Sequence, residues 1–357
     1  MEKLIEKEWE DIELGKIADV NSGRDIYAQE RTDGDTPYIT SGTANNGIGY
    51  FVGNDNDSKA KNAISVNRNG AVGEAFYHPY EALYGNDCRR VNLHDAKDEE
   101  TQLFAAQCIS AQKEAFSYSR KLGTARLKRL HVMLPVTDSG EPDYDYMEQY
   151  ASEMRESMLK RYKSYVAGQL SHLEYKDIPA LDEKEWKEFR IGELFEVSRP
   201  KARNKDDYDL GDIPFVASGA MNNGVMKCCK TREGEQLDAG NCITVSPVDG
   251  SSFYQPMDFL GRGGAGSSIL MLRNDGLNLL RGEFMARMIQ QTCSKYSYGH
   301  MGNKDSIKRE RVMLPVDDDG KPDYAYMEQY VKNVMLRKYK QYLAFIDKQN
   351  AAEEVTV

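Results

Sequence analysis

Two short stretches of this chain concentrate residues of the types that bind phosphates and nucleic-acid bases. Between Lys113 and Leu130, the cations Lys113, Arg120, Lys121, Arg126, Lys128 and Arg129 stand against Glu114, a local charge of +5. Between Lys295 and Arg311, the cations Lys295, Lys304, Lys308, Arg309 and Arg311 stand against Asp305 and Glu310, a local +3. Both are interleaved with aromatic, Gly and Ser residues, as "FSYSRKLGTARLKR" and "KYSYGHMGNKDSIKR". Lys and Arg neutralise phosphates, while Tyr, Arg and His can reach base edges in a groove. The candidate DNA contacts are therefore Tyr118, Arg120, Lys121, Arg126, Lys128 and Arg129 in the first stretch. In the second they are Tyr298, His300, Lys304, Lys308, Arg309 and Arg311. A solvated charged loop would look the same taken singly. Two such islands at equivalent places, in a chain of net charge −10, argue for a binding role.

A second candidate element is Ser-Gly-x-x-Asn-Asn-Gly, at Ser41–Gly47 and again at Ser218–Gly224. The amides of Asn45, Asn46, Asn222 and Asn223 have the donor and acceptor needed for an adenine edge. The same residues also suit a tight turn between strands, and the sequence leaves both readings open.

Catalytic signatures are missing. There is no Asn/Asp-Pro-Pro-Tyr/Phe element to hold a target amine, no GxxxxGK[ST] loop and no HExxH. "GRGGAG" (261–266) is glycine-dense, but its counterpart "GNDCRR" (85–90) is not. A carboxylate set built from Asp143 with Glu185-Trp186-Lys187 is not repeated in the second half. The six cysteines lack CxxC spacing, so reduced structural thiols are expected rather than a zinc site. No run approaches the ~20 apolar residues of a membrane helix. The start, "MEKLIEKEWEDIELGK", lacks an apolar signal core, which predicts a cytoplasmic chain without a membrane partner. The expectation is a protein that recognises something and is itself no enzyme.

The elements that must position these residues are written twice. "VMLPVTDSGEPDYDYMEQY" from Val132 returns as "VMLPVDDDGKPDYAYMEQY" from Val312, differing only at Thr137/Asp317, Ser139/Asp319, Glu141/Lys321 and Asp145/Ala325. "KEWEDIELGKI" from Lys7 returns as "KEWKEFRIGEL" from Lys184, and "YITSGTANNGIG" from Tyr38 as "FVASGAMNNGVM" from Phe215. "FSYSR" from Phe116 returns as "YSYGH" from Tyr296. Each copy reads as short strands with Gly/Asn/Asp turns, a helix (101–116 and 280–296), the basic loop, a "VMLPV" strand, then a long helix capped by Asp143 or Asp323. This predicts an α+β chain of two tandem, β-rich recognition domains at 1–142 and 176–322. Long helices at 143–175 and 323–357 would separate them. Met147, Tyr150, Met154, Met158, Tyr162 and Tyr165 form a stripe at helical spacing, as do Met327, Tyr330, Val334, Tyr342 and Ile346. Each helix could pack on its own domain. Pairing of the two as an antiparallel coiled coil is the more economical use of matching stripes, with Tyr and Met making a weaker seam than Leu and Ile.

The combination "EW–F-I-G-LF", "SG–NNG", "YSYG", "LPV–G-PDY–YMEQY" and a long helix, present twice, resembles the specificity subunit of type I restriction-modification systems, to which type IIB specificity subunits are closely related. The resemblance covers essentially the whole chain. It implies a target-recognition domain in each copy, each reading one half of a split, asymmetric site in double-stranded DNA. It further implies helices of ~40 Å that space the halves and dock two adenine methyltransferase subunits. Those partners would carry the S-adenosylmethionine site, so no cofactor is expected in this chain, and complete systems add a restriction subunit. The commonest family form has Gly then Arg after "YSY". Here the first copy has Ser119-Arg120 and the second Gly299-His300, which leaves individual base contacts open. Two other classes would behave differently. A self-contained methyltransferase or nuclease would bind S-adenosylmethionine or cut DNA alone, and an acidic DNA mimic would inhibit DNA-binding enzymes without affinity for DNA.

Overall fold

The computed structural model describes residues 4–96, 98–116, 120–264 and 268–354, with side chains as far as 348. The chain divides into two compact units, Met1–Tyr162 and Lys163–Val357.

In the first unit, β1 (Trp9–Glu13) leads through a single helical turn, α1 (Leu14–Ile17), into β2 (Ala18–Ser22). Strands β3 (Thr36–Ile39), β4 (Ile48–Val52), β5 (Ala63–Asn67), β6 (Ala75–His78), β7 (Leu83–Tyr84) and β8 (Cys88–Leu93) follow. Helices α2 (Glu99–Ser110) and α3 (Thr124–Lys128), β9 (His131–Pro135) and α4 (Tyr144–Leu170) complete the series. The second unit repeats it as β10 (Trp186–Arg190), α5 (Ile191–Leu194), β11 (Glu196–Ser198), β12 (Leu210–Val216), β13 (Val225–Cys229), β14 (Cys242–Val245), β15 (Ser252–Gln255), β16 (Leu260–Gly261), β17 (Leu270–Arg273), α6 (Leu279–Cys293), α7 (Lys304–Arg309), β18 (Arg311–Pro315) and α8 (Tyr324–Glu354).

Sheet topology is duplicated strand for strand. The antiparallel sheet β2-β8-β5-β6 matches β11-β17-β14-β15, and the mixed sheet β4-β3-β7 matches β13-β12-β16. Core side chains fall at matched positions. Leu14, Val20, Ile64, Ile109, Leu127, Val132, Leu134 and Met147 pack together in the first unit. Ile191, Val197, Ile243, Ile289, Ile307, Val312, Leu314 and Met327 do so in the second. The expected helix over 101–116 instead runs Glu99–Ser110, after which 113–115 form a separate 3-10 turn. The side chain of Lys113 there is drawn to Glu74 at 2.8 Å.

The most faithfully repeated text builds the closure of each unit. β1 pairs antiparallel with β9, Trp9 opposite Pro135, and β10 with β18, Trp186 opposite Pro315. Lys7 Nζ then reaches Asp143 Oδ2 at 2.7 Å, and Lys184 Nζ reaches Asp323 Oδ2 at 2.7 Å. Each aspartate is also the helix cap: Tyr146 N donates to Asp143 Oδ1 at 3.0 Å, and Tyr326 N to Asp323 Oδ1 at 2.9 Å. Each ammonium lies 5.1 Å from the ring of that tyrosine. Trp9 stacks on Phe104, whose ring meets Tyr150 edge to face, and Trp186, Phe284 and Tyr330 reproduce this cluster.

Within the second unit, the final turns of α4 run antiparallel to α8. Lys163 pairs with Asp347 at 3.2 Å, and the Tyr165 and Tyr339 rings meet edge to face at 6.3 Å. Farther along, Lys176 N donates to Asn333 Oδ1, and the Tyr326 hydroxyl to Pro179 O. The seam is polar and aromatic, as a Tyr/Met stripe predicts. Not all of the stripe is buried: Met147 is fully covered, whereas Met154 and Met158 are 43% and 56% exposed.

Burial opposes ionisation of Asp143 and Asp323, but the lysine hydrogen bond and the tyrosine amide outweigh it and hold both carboxyls below the usual range. A carboxyl depressed in the folded state contributes stability that is full above its unfolded value, near pH 4, and is lost as pH falls through the folded value. Asp143→Asn keeps a capping oxygen and strands Lys7, while Asp143→Ala removes both contacts and should cost about 1 kcal/mol more. Urea unfolding at neutral pH should show that order. The deficit of Asp143→Asn should stay constant from about pH 6 to about pH 5 and shrink as the buffer is taken below about pH 4.

Candidate nucleic-acid interface

The Asn pairs sit at hairpin tips. Asn45, Asn46 and Gly47 have φ of 50°, 51° and 76°, and Asn222, Asn223 and Gly224 have 48°, 54° and 73°. Three successive left-handed residues reverse the chain between β3 and β4 and between β12 and β13. Asn tolerates that region better than other residues with a Cβ. Thr40 closes the first turn on Gly47 O through its amide, at 2.7 Å, and its hydroxyl, at 3.1 Å. Ala217 N closes the second on Gly224 O at 2.9 Å. The turn reading therefore accounts for the residue types. All four asparagine side chains are nevertheless exposed at the tips.

In the basic segments, one apolar residue anchors a short helix and turns its neighbours outward. Leu127 is fully buried beneath α3, leaving Arg126, Lys128 and Arg129 exposed. Ile307 does the same in α7, leaving Lys304 and Arg309 exposed and Lys308 half-buried. Among the described residues, Arg126, Lys128, Arg129, Lys304, Lys308 and Arg309 form no ion pair. Arg120 lies with its guanidinium 5.7 Å from the Phe116 ring. Tyr118 lies outside the described residues. Its counterpart Tyr298 is 85% exposed. His300 stacks on Tyr296, with ring centroids 5.9 Å apart. Burial and the Glu310 carboxylate push the Tyr296 phenol up to about 12, so it donates its proton to Glu310 at 2.6 Å. Arg311 is engaged differently, on β18 with Glu188 at 2.8 Å.

A third loop joins these parts. Asn67 Nδ2 donates to Gly42 O in the hairpin, and a Cβ on Gly70 would lie 3.0 Å from Ser41 O. On its other side, Leu122 N donates to Arg68 O. The β5–β6 loop thus brings the Asn tip and the basic segment onto one face. In the second unit Gly302 N likewise donates to Pro247 O in the β14–β15 loop, whereas the Asn tip is tied to strand β15, Gln255 Nε2 donating to Asn223 O. Sequence reasoning missed this loop and with it Arg68. The available signal was the disagreement between "AISVNRNG" and "CITVSPVDG".

Other features are structural. A Cβ on Gly263 would lie 2.0 Å from Pro200 O, so glycine in "GRGGAG" serves close backbone packing; its residues 265 and 266 lie outside the described residues. Burial pushes the thiols of Cys88, Cys108 and Cys293 up to about 12, keeping them protonated. Among the described residues, no group of three His, Cys, Asp or Glu is placed to hold a metal. No helix there is long and apolar enough to cross a membrane.

Backbone and side-chain roles of the Asn tip can be separated. Asn46→Gly should leave thermal stability within about 0.5 kcal/mol, whereas Asn46→Ala should cost about 1 kcal/mol. Any loss of DNA affinity in the folded Asn46→Gly protein then belongs to the amide.

The family model for the type I restriction modification DNA specificity domain matches residues 6–161 and again 183–342. The chain is 28% identical, over 90% of its length and 90% of the relative's, to the type II restriction enzyme BcgI specificity subunit of Heyndrickxia coagulans. A type I restriction-modification S subunit of M. genitalium aligns over 99% of this chain and 96% of its own at 14% identity, with a TM-score of 0.46. The two family matches fall on the two copies of the duplicated fold, and the protein belongs to the family of type I restriction-modification DNA specificity domains, which it carries twice.

Proposed function

We propose that this specificity subunit reads a split, asymmetric DNA site, one half with each unit. The carrying observation is a fold built twice on matched cores while the loop residues differ: Arg68 against Pro247, Arg120 against His300, Arg126 against Ser306. Recognition falls to 1–142 and 176–322, and the helical segments 143–175 and 323–357 serve as spacer. Asn45, Asn46, Arg120, Lys121, Arg126, Lys128 and Arg129 meet DNA in the first half, with Tyr118 beside them. Asn222, Asn223, Tyr298, His300, Lys304, Lys308, Arg309 and Arg311 do so in the second. A helix of 27 residues extends ~40 Å, compatible with half-sites about one turn, ~34 Å, apart.

The chain itself catalyses nothing in this reading. Two adenine methyltransferase subunits dock on the helical region and bring S-adenosylmethionine, and a nuclease function belongs to them or to a separate restriction subunit. The acidic total charge is compatible with DNA binding in such an assembly, because phosphate neutralisation is local to the loops and shared with partners.

Co-expression with its methyltransferase, followed by mapping of methylated adenines, should return a bipartite asymmetric sequence; a continuous short site would overturn the reading. Replacing 1–142 by the equivalent segment of a relative should change one half of that sequence and leave the other. Lys128→Ala and Arg309→Ala should each weaken DNA binding and lower the slope of log K against log salt by about one.

A further inference from the structure

We propose that the first unit carries a seat for a DNA backbone phosphate that the second unit lacks, so that the two halves grip the duplex unequally. This rests on the DNA-reading function above and adds Arg68 to it.

An open cleft of about 630 Å³ lies between the β5–β6 loop and the start of α3. Arg68, Lys121, Arg126 and Arg129 line it together with the small residues Gly123, Thr124 and Ala125, and no carboxylate or large apolar side chain is among them. Like charges around one concavity repel unless an anion lies between them, and a phosphodiester is the anion a DNA-reading loop meets. The cations are also held in place. Arg126 donates to Lys121 O, and Arg129 Nε donates to Ala125 O at 3.3 Å. Arg68 has a carboxylate neighbour only at 3.8 Å, Asp87, whose side chain is 51% exposed, so that pair is well screened.

The equivalent place in the second unit follows from the backbone. Leu122 N to Arg68 O corresponds to Gly302 N to Pro247 O. Pro247 therefore replaces Arg68, Met301 replaces Lys121, and Ser306 replaces Arg126. Of the four cations only Arg309 remains, while Lys304 stands in place of Thr124 and Asp305 in place of Ala125, so the matching positions carry a net +1 against +4. The hydroxyl of Ser306 is committed to the cap of α7, accepting from Asn303 N at 2.8 Å, and the β14–β15 loop carries Asp249, which adds negative charge.

The test measures binding of the full chain to a labelled duplex of scrambled sequence, and to a sequence selected with it from a randomised pool, over a range of salt concentrations. Arg68→Ala should lower the slope of log K against log salt by about one on both probes, and Arg68→Ala with Arg126→Ala by about two. Lys61→Ala, on the exposed loop before β5, should leave the slope unchanged. Normal binding by the Arg68→Ala protein with an unaltered slope would overturn the seat. So would a loss confined to one base position of the selected sequence, because Arg68 would then read a base. Failure of the unaltered chain to bind either duplex would overturn the DNA-reading function, and the seat with it.

Discussion

Because Asp143 and Asp323 each cap a long helix while holding a lysine from the first strand, the opening and closing elements of each unit are fixed together across 136 and 139 residues of sequence. The ammonium is enclosed by the carboxylate and a tyrosine ring, and both charged groups are largely buried. Breaking such a pair leaves one desolvated charge, which costs on the order of 3–5 kcal/mol. The two-stranded ribbon and the Trp–Phe–Tyr cluster lie beside it, so strand, helix α2 or α6, and long helix are locked at one junction. The buried members of this junction are the same residue types in both copies, while exposed ribbon positions vary, Glu10 against Lys187 and His131 against Arg311. Its near-identity in the two copies has an internal reason: one set of contacts has to be made twice.

With the ends fixed, three loops are free to differ. The Asn hairpin, the β5–β6 loop and the basic segment project from strand ends and one short helix, each held by a buried residue or a backbone bond. Leu127 and Ile307 anchor the basic segments. The left-handed backbone at Asn45–Gly47 and Asn222–Gly224 keeps the hairpin tip in the same shape in both units. Side chains on these platforms can change without disturbing the core, which is what two different half-sites would require of one scaffold.

Much of this was legible in the amino-acid order. The duplication, the two aspartate caps and the strand-like "VMLPV" follow from local pattern. A cap acts within three residues, and a strand's alternation within five. The helix expected over 101–116 ends at Ser110, and beyond it Lys113 reaches Glu74, a contact from another part of the chain. The Asn pairs had two readings, and the dihedral angles show the turn, all four taking the left-handed backbone that Asn tolerates. Arg311 looked like one more cation of its island, yet it faces Glu188 across the ribbon.

Sequence by itself determined that one unit is written twice, that each ends on a capped long helix, and that positive charge recurs ahead of it. These are properties of neighbours along the chain. Tertiary structure decided which charges share a face. Arg68 and Lys121 stand far apart in sequence and meet because a backbone bond ties the β5–β6 loop to residue 122. Pro247 and Met301 are brought together in the same way, and neither carries a charge. Charge density in space depends on which loops the sheet brings together, and no local pattern encodes that.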